Sequence, residues 1–474
     1  MNRQLNINSY TRVSVILQEI LLILFCSLSL HSQELAKGKI TDTVLCKKQP
    51  AQKYALFLPA NYNALAKFPA IMIFDPGGRG TVAVKAFRPA AEKYNLILVC
   101  SYNSKNGPLN DNFTAASAVI DDLTARFSID NKRIYCAGFS GGSRFALSLA
   151  STTDFISGVI GCGAGLPNDN RLYPSGKSRF AYYGTAGFKD MNYLDMFDLM
   201  DFFNSRTQVT AFLRTFDGGH EWAPPDILQD AIEWIILQSM KKNEIRQDTA
   251  FISLMYKKSQ DRVGKLLSTG NLIDAERYMQ YAVRDFSGFR KVNDLTGSVS
   301  KLVQSKDFRD ANKEWTSIAT RERQTEDKYI SSIRKIVYSG TVSDTLIRWL
   351  RNEVSSLKTM KERSVTSSKY MASRLLNFIS IFCSEQGSAY YGQNYFELSG
   401  FFFEVCTLSD SENMNNYFNY AKSLAGQKRK REALNELSLA VDHGLSDRKS
   451  IENEPAFALL RGEEKFKVIL NRLK

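Results

Sequence analysis

The sequence predicts an α/β domain built on a mostly parallel sheet, followed by an all-helical region. Between residues 39 and 242, short apolar runs alternate with longer amphipathic runs, a pattern typical of a parallel sheet covered by helices on both faces. From about residue 243 the strand patterns stop and helical periodicity continues. A chain of 474 residues is also too long for one core. We therefore expect two domains, at 39–242 and 243–474.

Eight short runs in the first domain have the length and apolar character of strands. Helical runs at 83–94 and 113–127 separate the earlier ones, with apolar residues recurring on one face. The predicted strands cover residues 38–44, 54–58, 70–74, 96–100, 133–136, 157–161, 181–184 and 209–216.

Glycine-rich and polar segments follow the carboxyl ends of several predicted strands. Residues 75–80 (DPGGRG) follow the third strand, 138–142 (GFSGG) the fifth, and 217–222 (DGGHEW) the eighth. In a parallel sheet these strand ends share one edge, where ligands bind. The sequence therefore predicts a site at that edge.

The segment at 138–142 has the G-x-S-x-G pattern, with an apolar strand before it and a helix after it. This context is typical of a serine held on a sharp strand-to-helix turn, with small neighbours because backbone segments cross closely there. A serine nucleophile needs a base and an orienting acid. His220 is the one histidine between residues 39 and 242. Asp190, just beyond the seventh strand, is the predicted acid, with Asp195 as the alternative.

Further residues are predicted from their places around the serine. The backbone amide of Gly141 is a candidate oxyanion donor, and Gly77 and Gly78 are candidates for the second. Polar and aromatic side chains expected at the rim of the site are those of Asn103, Ser104, Asn106 and Trp222.

Residues 39–242 resemble α/β-hydrolases of the secreted esterase type, related to polyhydroxybutyrate depolymerases and feruloyl esterases. The resemblance rests on residues 75–80, the motif at 138–142, Asp190 and the Gly219-His220 pair. Many relatives have His-Gly-Gly where this chain has Asp75-Pro76-Gly77-Gly78, and the acid here comes a few residues later than in the common Gly-Thr-x-Asp arrangement.

The resemblance implies a carboxyl-ester hydrolase that works through an acyl-enzyme intermediate, without a cofactor. Its substrate would be a small-molecule or glycan-linked ester. Two alternatives stay open, a serine peptidase of the same fold and a catalytically silent interaction protein. No C-x-x-C or paired His/Cys spacing supports a metal site.

The N-terminus has the pattern of a secretory signal peptide. Arg3 and Arg12 precede an apolar run at 20–30 and a polar stretch begins at His31. We expect residues 1–33 to be removed on export to the periplasm or the medium, which leaves no membrane span. The alternative is an uncleaved N-terminal anchor.

The second domain shows spacing that resembles tetratricopeptide (TPR) helix pairs. Residues 270–282 and 425–440 have the spacing of small and large residues that is typical of such a pair. This spacing is lost between about 320 and 403. A TPR-like array would bind a protein partner or cover the active-site entrance; the alternative is an irregular helical bundle. The net charge is +13, but the basic residues are scattered along the chain. A basic run such as 428–431 is usually a solvated helix face, so no nucleic-acid partner is predicted.

Overall fold

The computed structural model describes residues 35–339 and 344–473. The predicted signal peptide, residues 1–33, lies outside the described residues. Within the described ranges, no helix is both long enough and apolar enough to cross a membrane.

The first half of the chain forms an eight-stranded sheet with the order β1-β2-β4-β3-β5-β6-β7-β8. β2 pairs antiparallel with β1 and with β4, and every other pairing is parallel. All eight predicted strands are present, and the predicted fold class is confirmed. The strands are β1 Ile40–Leu45, β2 Lys53–Phe57, β3 Phe68–Phe74, β4 Ile97–Ser101, β5 Ile129–Phe139, β6 Ile156–Cys162, β7 Ala181–Gly187 and β8 Thr210–Phe216.

Five helices cover the two faces of the sheet. Consecutive residues of a strand point to opposite faces, so that Cys136 belongs to one hydrophobic core and Ala137 to the other. This double burial is why the central strands read as near-continuous apolar runs. The helices are α1 Gly80–Tyr94, α2 Leu109–Arg126, α3 Gly141–Thr152, α4 Tyr193–Arg206 and α5 Pro225–Lys241.

The rest of the described chain is helical. The helices are α6 Thr249–Ser268, α7 Leu272–Phe286, α8 Asn293–Gln304, α9 Lys306–Ser339, α10 Asp344–Arg363, α11 Thr366–Gly392, α12 Phe396–Ser409, α13 Met414–Gly426, α14 Lys430–Asp442, α15 Arg448–Glu452 and α16 Glu464–Asn471, with a 3-10 turn at Pro455–Leu460. Another 3-10 turn, Asn170–Leu172, lies between β6 and β7 of the sheet domain.

The lengths of these helices vary widely, from 5 residues in α15 to 34 in α9. A TPR repeat is a pair of similar short helices. The pair α13 and α14, with 13 residues each, has such lengths. The TPR-like array over the whole region remains a prediction.

The helical region packs directly on the sheet domain. Val263 of α6 and Met279 of α7 join the core that lies under α5. On the other face, Trp315 of α9 packs against Phe197 of α4, with ring centroids 5.4 Å apart. Apolar cores therefore continue from one region into the other.

The cysteines of the described ranges are all free and buried. Cys383 and Cys406, which lie on the neighbouring helices α11 and α12, form no disulfide. Burial raises the pKa of the Cys383 thiol to about 12. These thiols are therefore packed as small apolar groups and not as nucleophiles.

Candidate active site

Ser140 lies on the turn between β5 and α3 with backbone angles φ 53° and ψ −123°, in a region that residues other than glycine rarely adopt. The flanking glycines make the turn possible. A Cβ on Gly138 would lie 2.1 Å from the carbonyl oxygen of Gly142, and a Cβ on Gly142 would lie 2.0 Å from that of Phe74. The backbone N–H of Ser140 donates to the carbonyl of Cys162 at 2.9 Å. The turn is thereby fixed with its hydroxyl at the sheet edge.

The structure brings Ser140, His220 and Asp190 together from the ends of β5, β8 and β7. The distance from His220 Nε2 to Ser140 Oγ is 2.9 Å, and that from His220 Nδ1 to Asp190 Oδ1 is 2.8 Å. The Asp190 side chain is 1% exposed and that of His220 is 12% exposed. The ring of Phe139 packs on the imidazole, with centroids 4.7 Å apart. A base held between a hydroxyl and a buried carboxylate can take the hydroxyl proton.

Asp195, the alternative acid, has a different environment. Its side chain is 54% exposed, and its Oδ2 lies 3.8 Å from Nη2 of Arg144. It makes no hydrogen bond to His220, which is bonded to Asp190 instead.

Gly163, which the sequence analysis did not select, packs against the acid. It has a φ of +62°, and a Cβ there would lie 2.6 Å from Asp190 Oδ2 and 3.4 Å from His220 Nδ1. The Asn192 side chain donates to the carbonyl of Gly163 at 2.7 Å, and the Asn192 backbone N–H donates to Asp190 Oδ1 at 2.9 Å. Gly163 directly follows β6. Its position after the carboxyl end of a strand is the sequence feature that could have identified it as a site residue.

The predicted roles of Gly77 and Gly78 as oxyanion donors need correction. The N–H of Gly77 donates to Asp75 Oδ1 at 2.9 Å, and the N–H of Gly78 donates to the carbonyl of Asp75, also at 2.9 Å. Both amides are therefore used inside the turn that follows β3. Neither residue lines the cavity around Ser140, whereas Pro76, which has no N–H, does.

Asp75 holds this turn in place. Its fully buried carboxylate accepts hydrogen bonds from the Arg79 guanidinium and from the Trp222 indole N–H, each at 2.9 Å. Burial alone would raise the pKa of Asp75, but the hydrogen bonds from Arg79, Trp222 and the backbone amides lower it overall. The carboxylate is therefore ionised at neutral pH and fully occupied by these partners.

Asn106 lies directly over Gly141, the residue after the serine. A Cβ on Gly141 would lie 1.9 Å from Oδ1 and 3.5 Å from Nδ2 of Asn106. The backbone N–H of Asn106 donates to the carbonyl of Pro76 at 2.8 Å, which ties this loop to the turn after β3. Rotation of the carboxamide would exchange its oxygen and nitrogen at this position.

A cavity of about 620 Å³ opens around Ser140 and His220. Gly141, the predicted oxyanion donor, and Ser104, predicted at the rim of the site, both line it. Eight further lining side chains can form hydrogen bonds or carry charge: Lys105, Asn106, Asn112, Arg144, Ser148, Asn168, Asp169 and Glu385. The last of these belongs to α11 of the helical region.

Asn103 and Trp222 lie outside this cavity, contrary to the sequence prediction. The Asn103 carboxamide accepts from the N–H of Lys53 at 2.9 Å and donates to the carbonyl of Ala51 at 3.2 Å. The Trp222 ring packs on Phe87 and Phe139, with centroids 5.7 Å away in each case. Both side chains therefore support the loops around the site and do not line it.

Within residues 35–339 and 344–473, no three or more His, Cys, Asp or Glu side chains are grouped so as to hold a metal ion.

No protein-family model matches the sequence, and a comparison with curated proteins gives no match. Among solved structures, the chain is similar to an S-formylglutathione hydrolase from Agrobacterium tumefaciens, with 17% identity over 43% of this chain and 97% of that one, at a TM-score of 0.35. It is also similar to FphF, a fluorophosphonate-binding serine hydrolase from Staphylococcus aureus, with 15% identity over 39% of this chain and 92% of that one, at a TM-score of 0.32. A third is Est1E from Butyrivibrio proteoclasticus, with 16% identity over 40% and 95% of the two chains, at a TM-score of 0.32.

Proposed function

We propose that this protein is a serine hydrolase that cleaves carboxyl esters through an acyl-enzyme intermediate. The observation that carries the proposal is the continuous hydrogen-bonded chain from Ser140 through His220 to Asp190. The buried carboxylate orients the imidazole, and the imidazole is within reach of the serine proton.

The proposed reaction has two halves. In the first, His220 takes the proton of Ser140 while Oγ attacks the ester carbonyl, and it then gives that proton to the departing alcohol as the carbon–oxygen bond breaks. In the second, water loses a proton to His220 and attacks the acyl-enzyme. The carboxylic acid product is released, and His220 returns the proton to Ser140 Oγ. No cofactor takes part.

Each tetrahedral intermediate carries a negative oxygen that needs hydrogen-bond donors. We assign one donor to the backbone N–H of Gly141, at the start of α3, where the helix dipole also favours negative charge. We assign the second to the side-chain amide of Asn106, because it packs against Gly141 while the amides of Gly77 and Gly78 are bonded to Asp75.

The lining of the cavity favours a polar ester, either a small molecule or an acyl group on a glycan. Side chains such as Ser104, Asn112 and Asn168 can bind hydroxyl groups of a substrate. We further propose that the protein is exported, since residues 1–33 have the pattern of a signal peptide.

Hydrolysis of p-nitrophenyl acetate by the wild type and by Ser140→Ala tests the proposal. We expect turnover by the wild type and a loss of about 10⁶-fold in kcat in the variant, which removes the nucleophile. Ser151→Ala is the matched control, because Ser151 lies on α3 and its hydroxyl donates to the carbonyl of Leu147. A folded wild type without turnover of this ester, of polar esters or of peptide substrates would contradict the proposal.

A further inference from the structure

One face of helix α11 lies on the loop that carries the proposed acid. Arg374 Nη1 donates to the carbonyl of Phe188 at 2.8 Å, and Asn377 Nδ2 donates to the carbonyl of Lys189 at 2.7 Å. The ring of Tyr370 stacks on that of Phe188, with centroids 5.2 Å apart. The two carbonyls belong to the residues that directly precede the acid.

The same two residues are also held from the sheet side. The N–H of Phe188 donates to the carbonyl of Phe216 at 2.8 Å, and that of Lys189 donates to the carbonyl of Gly218 at 2.9 Å. The backbone of the acid loop is therefore fixed between α11 on one side and the loop of His220 on the other.

Arg374 is itself rigidly placed. Its Nε and Nη2 bond to the two carboxylate oxygens of Glu322 on α9, each at 2.6 Å, and both side chains are almost fully buried. Its guanidinium also lies over the ring of Tyr193, 4.6 Å from the centroid. A bidentate pair in such surroundings fixes geometry.

Farther along the same face, Ile381 and Glu385 line the cavity that contains Ser140 and His220. The spacing from Tyr370 through Arg374, Asn377 and Ile381 to Glu385 is three or four residues at each step. This spacing puts the five side chains in one row along the helix.

Glu385 makes no ion pair or hydrogen bond within the described ranges. The other cavity carboxylates are engaged, since Asp169 pairs with Arg171 and Asp75 with Arg79. Glu385 is therefore available to accept hydrogen bonds from a substrate, and hydroxyl groups are the neutral donors that suit it.

We propose that α11 is a functional part of the active site: Asn377 and Arg374 position the acid loop, and Glu385 selects substrates that carry hydroxyl groups near the ester. The inference rests on the serine hydrolase activity proposed above. It gives the helical region a catalytic contribution that the sheet domain cannot provide alone.

The first test removes the Asn377 donor in the full-length protein. In Asn377→Ala and Asn377→Asp we expect kcat for p-nitrophenyl acetate to fall roughly 10- to 100-fold, because small displacements of catalytic groups have effects of this size. KM and the melting temperature should stay near the wild-type values, since Arg374 and Tyr370 still contact Phe188. Asn352→Asp, at an exposed position of α10, is the control.

Arg374 gives a second pair of variants. Arg374→Lys keeps a cation beside Glu322 and a donor for the carbonyl of Phe188, whereas Arg374→Met removes both. We expect the lysine variant to retain several-fold more activity per folded molecule than the methionine variant. Wild-type kcat in both Asn377 variants, or equal kcat in the two Arg374 variants, would overturn the positioning role.

The second test compares a monoacetylated sugar with p-nitrophenyl acetate. Glu385→Gln should lower kcat/KM for the sugar ester about fivefold more than for the aryl ester, the effect of weakening one charged hydrogen bond. Glu362→Gln, at the exposed end of α10, is the matched control. An unchanged ratio in Glu385→Gln would overturn the selective role.

Failure of the underlying function has a different signature. A wild type that hydrolyses neither ester would overturn the proposed hydrolase and this inference with it. If the wild type is active and the Asn377, Arg374 and Glu385 variants have the same kinetic constants as the wild type, only the role proposed for α11 would be overturned.

Discussion

The sheet domain and the helical region contribute to the site in different ways. The sheet domain supplies Ser140, Asp190 and His220 from three strand ends, which parallel pairing brings to one edge. The helical region supplies Asn377 and Glu385 from one face of a single long helix. The proposed catalytic groups are thus placed by sheet topology, whereas the side chains that surround them from the helical region are placed by packing between the two regions.

The comparison teaches that a candidate active site can be contacted by a region whose own sequence carries no catalytic motif. The acid loop is bonded to the sheet domain through its N–H groups and to α11 through its carbonyls. Substitutions in the sheet domain should therefore have larger effects on kcat than substitutions in the helical region.

Replacement of the proposed acid should have the largest effect. Asp190→Asn should lower kcat by about 10⁴-fold, because an amide no longer holds the imidazole in the orientation and tautomer that accept the serine proton. Steady-state hydrolysis of p-nitrophenyl acetate measures this. Asp195→Asn, at the half-exposed alternative acid, should stay within about threefold of the wild type. The reverse order of the two variants would assign the acid to Asp195.

Loss of the proposed oxyanion donor comes next. Asn106→Asp keeps the shape of the side chain but removes its N–H groups, so kcat should fall by about 10²- to 10³-fold. Stopped-flow measurement of acylation would locate the loss in the chemical step. Asn110→Asp, on the first turn of α2, is the control. Wild-type acylation by Asn106→Asp would return the second donor to the backbone of the turn after β3.

Gly163→Ala should reduce kcat by roughly 10- to 100-fold. The added methyl group would lie 2.6 Å from Asp190 Oδ2, and the positive φ disfavours alanine, so the acid must move. Gly176→Ala is a suitable comparison, because nothing lies within 4 Å of a Cβ at that position. Equal kcat values for the two variants would show that the acid tolerates displacement.

The smallest expected effect concerns stability in the helical region. Burial raises the pKa of Glu326 on α9 to about 8, and the negative charges of Glu322 and Asp195 add to this. Because this pKa lies above that of an unfolded glutamate, the free energy of unfolding should decrease as the pH rises from about 4.3 to 8. Glu326→Gln removes this loss, so its melting temperature should exceed that of the wild type by about 2 °C at pH 8 and equal it near pH 4.

Differential scanning calorimetry at the two pH values makes this measurement. Asp327→Asn, at the exposed neighbouring position, should show no such pH-dependent gain. A gain for Glu326→Gln that is the same at pH 4 and pH 8 would contradict the assigned charge effect.

The two regions also differ in how far their sequences could be interpreted. In the sheet domain, strands buried on both faces leave apolar runs with glycine-rich ends, and the G-x-S-x-G turn and the single histidine of the domain then led to Ser140, His220 and Asp190. Side-chain partners across loops could not be predicted this way. Trp222 and Gly77, predicted as site residues, instead donate hydrogen bonds to the buried carboxylate of Asp75.

Helical periodicity predicted helices in the second region but not their arrangement. Amphipathic spacing defines which face of α11 is buried and does not define what covers that face. Asn377 and Glu385 look like ordinary polar positions in the sequence. The proposed role of Asn377 depends on a hydrogen bond to a loop 188 residues earlier in the chain, and that of Glu385 on its place in the cavity. The long helix α9 likewise departs from the short pairs expected of a TPR-like array.

The most direct test of the central claim is peptide mass spectrometry after treatment with a fluorophosphonate. A serine activated by His220 should attack the phosphorus and displace fluoride, which leaves a stable adduct on the peptide that contains Ser140. We predict one modified serine in the wild type and none in His220→Ala. An unmodified wild type, or an adduct on a different serine, would contradict the assignment of Ser140 as the nucleophile.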